Sequence, residues 1–215
     1  MKNIRAFPLL AALLLVVLAG ATGAQAPPVT PHPSGQDVID RTKHVSITYA
    51  LYQWSRVQRP GEGPFEEWAA EFNAGDLHRV ETPRDRVIAD CRRGTGIWYS
   101  LVTGNFEEGP VQAARICGIS TNAPIRSAQW VERVRTPFGA ADRVRVTDDT
   151  LIRTYDISPE GLVLGIIYAE NRPGGAVVLV TQTVRLSRDL PNPNMFDRAS
   201  LARSFVPEAY RVAPR

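Results

Sequence analysis

Lysine is nearly absent from this chain of 215 residues: of 25 basic residues only Lys2 and Lys43 are lysine, and the rest are arginine. We read this first as compositional bias and second as a preference for planar, carboxylate-pairing charge. Histidine is also scarce. His32, His44 and His78 stand at no ligand spacing, so neither a metal site nor a cofactor is expected. A charge excess is lacking too. Removal of an N-terminal signal leaves 23 basic against 22 acidic residues, which gives no electrostatic case for a nucleic-acid partner.

Catalytic motifs are missing as well. Gly118-Ile119-Ser120-Thr121-Asn122 lacks the second glycine of a nucleophile elbow and any evident histidine partner. His78-Arg79-Val80-Glu81 has one histidine of a zinc-protease pair and falls in a strand pattern, where the required helix face does not exist. Gly94-Thr95-Gly96 has neither the spacing nor the lysine of a phosphate loop. The pairs Glu66-Glu67, Glu107-Glu108 and Asp148-Asp149 are sequence neighbours, which a strand points to opposite faces, so they read as surface or turn charge. No catalytic residue is therefore assigned, and the chain does not read as an enzyme.

What is present begins with an address. Lys2 and Arg5 precede an apolar core from Leu9 to Leu18 that is too short to span a bilayer, and small residues follow. Cleavage after Ala24 or after Ala26 both fit, the latter placing Pro27 just beyond the cut. No cysteine follows the core, so no lipid anchor is expected. The expected product is a soluble periplasmic protein without a transmembrane anchor, divided into a signal peptide 1–24, a Pro-rich linker 25–36, one β-rich domain 37–207 and a tail 208–215. His32 falls in the linker and is assigned no role. In an oxidising compartment Cys91 and Cys117 are expected to form a disulfide, with two free thiols or a metal pair as the alternatives.

The domain reads as a succession of short strands. A capping Ser34 with Val38 and Ile39 marks a short helix. Alternation from Val45 to Val57 predicts a strand, as does Phe65 to Asn73, where Trp68, Ala70 and Phe72 form a dry face against a wet one of Glu67, Ala69, Glu71 and Asn73. Leu77–Thr82, Arg86–Asp90 and Ile97–Leu101 form a meander punctuated by Pro, Gly and Asp. Gly104 to Pro110 reads as a break, Val111 to Ile116 as a short helix, and Ile125 to Arg135 settles on no face. Four further strands follow, Arg143–Thr147, Leu151–Ile157, Leu162–Ala169 and Val177–Leu186, and Met195 to Phe205 reads as a closing helix. The fold class is mainly β: nine or ten antiparallel strands in a curled sheet, an incomplete barrel, with two or three short helices. A twisted sheet of that size curls, and its concave face must be filled.

Aromatic side chains on several strands are the candidates to line such a face. Tyr49, Trp54, Trp68, Phe72, Trp98, Trp130 and Tyr168 are assigned as a ligand-binding set, with core packing as the plainer reading of each. The arginines Arg79, Arg84 and Arg86, and Arg133, Arg135, Arg143 and Arg145, read as solvated strand faces, with Arg79–Glu81 and Arg143–Asp142 as balancing pairs.

Three segments resemble the LolA/LolB-like and RseB-type superfamily of periplasmic lipoprotein carriers and sensors. One is Arg79-Val80-Glu81-Thr82-Pro83, Arg86-Val87-Ile88-Ala89-Asp90 and Gly96-Ile97-Trp98-Tyr99. Another is the hairpin from Tyr155-Asp156 to Tyr168, and the third is Leu190-Pro191-Asn192-Pro193-Asn194-Met195-Phe196. The resemblance implies an incomplete barrel closed by helices, binding a lipid or lipoprotein acyl chain in its concave face. An envelope protein-interaction or stress-sensing module on the same scaffold is the alternative. A long N-terminal helix is not legible here, and the Cys91/Cys117 pair lies outside the carrier pattern.

Overall fold

The computed structural model describes residues 32–59, 61–119 and 124–211; the signal peptide and most of the linker lie outside the described residues. Eleven antiparallel strands form one sheet. Helix α1 (Gly35–Arg41) precedes β1 (Tyr49–Val57), β2 (Phe65–Ala74), β3 (Leu77–Glu81), β4 (Asp85–Asp90), β5 (Thr95–Ser100) and β6 (Phe106–Gly109). Helix α2 (Pro110–Ala114) leads to the second meander, β7 (Ser127–Thr136), β8 (Gly139–Thr147), β9 (Leu151–Ile157), β10 (Val163–Glu170) and β11 (Val177–Ser187). Three 3-10 turns, Pro193–Phe196, Arg198–Ala202 and Glu208–Tyr210, follow β11 among the described residues. The strand order β6-β5-β4-β3-β2-β1-β11-β10-β9-β8-β7 joins the two meanders through β1 and β11, and β6 and β7 stand at opposite ends. The sheet is not closed into a barrel.

Both faces are covered. On the inner face α1 packs Val38 and Ile39 against Val144, Val146, Tyr155 and Ile157, and α2 packs Ala113 with Ile116 against Val87 and Ala89. On the outer face the C-terminal turns bring Met195 and Val206 onto Ala50, Tyr52, Ala70 and Phe72. Two glycines let the helices approach: a Cβ on Gly35 would lie 2.5 Å from the Ala128 carbonyl carbon, and one on Gly96 would lie 2.6 Å from the Ala113 nitrogen. Ser34 caps α1 in a reciprocal capping box with Asp37, as the sequence indicates.

Several elements depart from the sequence reading. Strand β1 starts at Tyr49, not Val45, because Asn73 Nδ2 donates to the carbonyls of Val45 (3.2 Å) and Ile47 (2.7 Å), and β2 ends too soon to pair with them. The break at 104–110 contains β6, a short edge strand held where Phe106 stacks on its partner Tyr99 at 4.4 Å. The unsettled stretch 125–135 is β7, whose register against β8 shifts between Trp130 and Glu132. A bulge there breaks the alternation that would have marked a strand. The closing helix is a run of 3-10 turns. Their carbonyls are taken by arginines: Arg79 donates to those of Met195, Ser200 and Arg203, and Arg86 to that of Leu201.

Arg79 and Arg86 depart from the reading of solvated rows, whereas Arg84, Arg133, Arg135 and Arg145 are exposed as read. Arg79 and Glu81 are completely buried and Arg86 nearly so. Arg143 pairs with Asp156 at 2.7 Å and Glu132 at 3.0 Å, not with Asp142. Asp142 is itself buried and takes hydrogen bonds from Arg41, Arg133 and Trp130. Asp148, read as surface or turn charge, sits in its turn fully buried and paired with Arg153.

Cys91, just past β4, is bonded to Cys117, just past α2, with Cα atoms 5.4 Å apart and a sequence separation of 26. Closing a loop of that length restricts the unfolded chain, so Cys91→Ser with Cys117→Ser should lower the unfolding free energy by about 3 kcal/mol. Urea denaturation of the oxidised protein and the double variant checks this; equal midpoints would refute it.

A candidate binding cavity

The inner face curls enough to bring distant strands together. Strands β3 and β9 are five spacings apart in the sheet, about 24 Å if it were flat. Yet His78 of β3 and Tyr155 of β9 line one cavity of about 200 Å³. Its apolar wall is Val45, Ile116, Ile119, Val163 and Ile166. Tyr49, Tyr155 and Tyr168 line it as well, and Glu71 with His78 forms a polar end. A second groove of about 560 Å³ shares Thr42, Val45, Tyr49 and His78 with it and runs past Lys43 and Asn73 to the disulfide. Together the two spaces fall in the size range of small-molecule sites.

The walls are positioned by links between the covering segments. Arg41 at the end of α1 donates to Asp142 at 2.8 Å, fixing the helix to β8. Thr42 Oγ1 donates to the Ile39 carbonyl at 2.7 Å and accepts from the Ile119 amide at 3.0 Å, joining the end of α1 to the segment after α2. The disulfide holds the near end of that segment against β4.

The polar groups stay un-ionised where burial dictates. Desolvation, reinforced by the Glu71 charge, pushes the Tyr49 hydroxyl well above its ordinary range, so it donates to Glu71 Oε2 at 3.2 Å. Burial and then Tyr168 likewise raise Tyr155, and the two hydroxyls lie 3.1 Å apart. Tyr49 and Tyr155 therefore keep their hydroxyl protons at neutral pH. Among the described residues no three His, Cys, Asp or Glu side chains gather as a metal site.

The structure distributes the seven aromatic candidates over four places. Tyr49 and Tyr168 line the cavity. Phe72 is fully buried on the outer face, and Trp68 packs beside it under the C-terminal turns. Trp54 is the cross-strand partner of Trp68 and shares that face. Trp98 lies under α2 with Val87 and Ala113. Trp130 packs with the α1 cluster, donates to Asp142 Oδ1 at 3.2 Å, and stacks on His32 at 4.4 Å. His32, assigned no role in the linker, thus covers an indole.

The sequence reading misses Glu71, His78, Tyr155 and Ile166 as cavity residues. It makes the face carrying Glu71 the wet one, and that face is the inner one. The signal available is parity, since Glu71 alternates with the dry Phe72.

No protein-family model matches the chain, and no curated protein matches it. Solved structures do. An uncharacterised conserved protein from Thermus thermophilus is 16% identical with a TM-score of 0.47, covering 84% of this chain and 98% of its own. A LolA superfamily protein from Nitrosomonas europaea is 11% identical with a TM-score of 0.41, covering 79% and 100%. MucB is 10% identical with a TM-score of 0.49, covering 78% of this chain and 63% of its own. The similarity is one of architecture. The LolA and RseB-like resemblance read from the three sequence segments is found again among these matches.

Proposed function

We propose that this protein binds an apolar ligand, the acyl chain of a lipid or lipoprotein, between the inner face of its sheet and the segments that follow α1 and α2, in the periplasm. It is a binding protein, not an enzyme. One observation carries the reading: the inner face of an unclosed sheet retains a cavity with an aliphatic wall, beside a groove that shares four lining residues with it. Apolar surface left unfilled in this way is what an acyl chain would bury. Because β6 and β7 are not paired with each other, the far ends of the two meanders can move apart with the β1–β11 pair intact. Among the described residues no helix is long and apolar enough to cross a membrane.

Ile166 tests the reading. It is half-buried on the cavity wall, opposite Tyr155 and Thr181. Ile166→Asp places a charge in the cavity and should abolish binding of N-phenyl-1-naphthylamine, an uncharged fluorophore, while circular dichroism stays native. Unchanged affinity would refute the cavity. Native mass spectrometry of protein taken from the periplasm without detergent, with lipid extraction, would identify the cargo.

A protein-interaction role is the second reading, favoured by exposed apolar side chains near the β6 edge, Val102 (77%), Phe106 (43%) and Val111 (64%). It predicts a crosslinked envelope partner and a clean apo mass.

A further inference from the structure

The polar end of the cavity is incompletely satisfied, and the unmet hydrogen bond has a definite chemistry. Glu71 Oε2 accepts one hydrogen bond, from Tyr49 at 3.2 Å. His78 Nε2 lies 3.8 Å from the same oxygen, too far to bond it. That nitrogen is buried and has no hydrogen-bond partner among the described residues. Buried polar atoms are normally paired, so a lone one on a side chain that lines the cavity points to a ligand group that would pair it.

Three kinds of group could stand there. An apolar chain end would leave Glu71 and His78 as they are. An anion would meet the Glu71 carboxylate; the cation on the cavity wall, Arg115, is exposed and set over the Trp98 ring at 5.8 Å. A protonated amine fits on every count. It can donate to Glu71 and to His78 Nε2 when the ring hydrogen sits on Nδ1, and tyrosine side chains line the same cavity.

Resting on the binding role proposed above, we infer that the Glu71–His78 end of the cavity recognises a protonated primary amine carried on an apolar chain. The aliphatic wall takes the chain, and the carboxylate sets the preference for its cationic end.

The test compares three twelve-carbon probes on the intact protein by isothermal titration calorimetry near neutral pH: dodecylamine, dodecanol and dodecanoate. Dodecylamine should bind about tenfold more tightly than dodecanol, the scale of one charge-assisted hydrogen bond, and dodecanoate should bind most weakly. Glu71→Gln, nearly isosteric, should remove the amine's advantage and leave dodecanol within about twofold. His78→Leu should weaken dodecylamine alone, and it gives a second reading of the site if Glu71→Gln fails to fold. Dodecanoate binding as tightly as dodecylamine, or Glu71→Gln changing all three probes alike, would overturn the inference while leaving the cavity standing. If none of the three binds, the binding role itself fails. Lysophosphatidylethanolamine binding like dodecylamine would assign the amine to a phospholipid head; failure to bind would assign it to a bare alkylamine.

Discussion

Arg79→Ala should destabilise the protein by about 4 kcal/mol, the cost of removing one partner from a fully buried ion pair. The guanidinium is completely buried on β3. It donates to Glu81 at 2.8 Å, to the Met195 carbonyl at 2.6 Å, to Ser200 Oγ at 2.8 Å and to the Ser200 and Arg203 carbonyls at 3.3 and 3.0 Å. It also lies 4.9 Å from the Phe205 ring centre. Burial pulls its pKa down and the Glu81 charge partly restores it, yet an arginine remains charged. Alanine strands Glu81, which then keeps Ser204 Oγ at 2.6 Å, the Phe205 amide at 3.1 Å and Arg86 at 3.6 Å. The Arg203 carbonyl loses its donor, while those of Met195 and Ser200 keep only Ser200 Oγ at 2.8 Å and the Arg203 amide at 3.1 Å, bonds within the C-terminal segment that do not tie it to the sheet. Urea denaturation should therefore show the loss, and limited proteolysis should cut within 190–211 in the variant first. Arg79→Lys should not rescue it, because one ammonium cannot reach the directions a planar fork does. Arg79→Met with Glu81→Leu should recover most of the loss. A cost under about 1 kcal/mol would place the pair among surface ion pairs and refute its anchoring role.

The same pair shows where the sequence is legible and where it is not. Period-two alternation places Arg79 and Glu81 correctly on one face of one strand, because it is a local property. Their burial is not legible, because it depends on a C-terminal segment more than a hundred residues away. The strand Leu151–Ile157 has the bounds its alternation indicates, and the meander from Leu77 to Ser100 is closely matched. The bulge in β7 and the four-residue β6 escape, one by breaking the period and the other by being too short to show it. The candidate site suffers from a symmetry. Both faces of this sheet are covered, by helices on one side and by 3-10 turns on the other. Alternation then groups Trp54, Trp68 and Phe72 on a single face without saying which face encloses the cavity. Tyr49 and Glu71, on the other parity, stand where the space lies. Selecting by residue type gathers aromatics from both sides. Selecting by parity on β1 and β2 separates them.

Asp148→Asn should cost about 3 kcal/mol near neutral pH, because it leaves Arg153 charged and largely buried without its partner. Asp148 accepts from the Thr150 and Leu151 amides, each at 2.8 Å, from Thr150 Oγ1 at 3.0 Å, and from Arg153. The two amides, with Arg153 and against desolvation, hold its carboxyl well below the usual carboxylate range. A folded-state pKa below the unfolded value of about 3.9 means the ionised form stabilises the fold above that pH. The contribution is lost as pH falls through the folded value. Asp142 acts in the same direction: burial pushes its carboxyl up, and hydrogen bonds from Arg41, Arg133 and Trp130 outweigh that. Wild-type urea midpoints should thus fall below about pH 4. Asp148→Asn should start lower and fall less steeply, so that the two curves converge in acid. The slope that remains in the variant is the share of Asp142 and the other carboxylates. The effect reaches the cavity, since the Arg153 guanidinium lies 5.4 Å from the Tyr168 ring centre and Tyr168 shares its hydroxyl contact with Tyr155. Losing Asp148 lets Arg153 shift and loosens that wall, so N-phenyl-1-naphthylamine should bind Asp148→Asn more weakly than wild type. Curves that stay parallel from pH 7 to 2 would show that Asp148 is not the group that carries the acid sensitivity. Unchanged probe binding would uncouple the turn from the cavity.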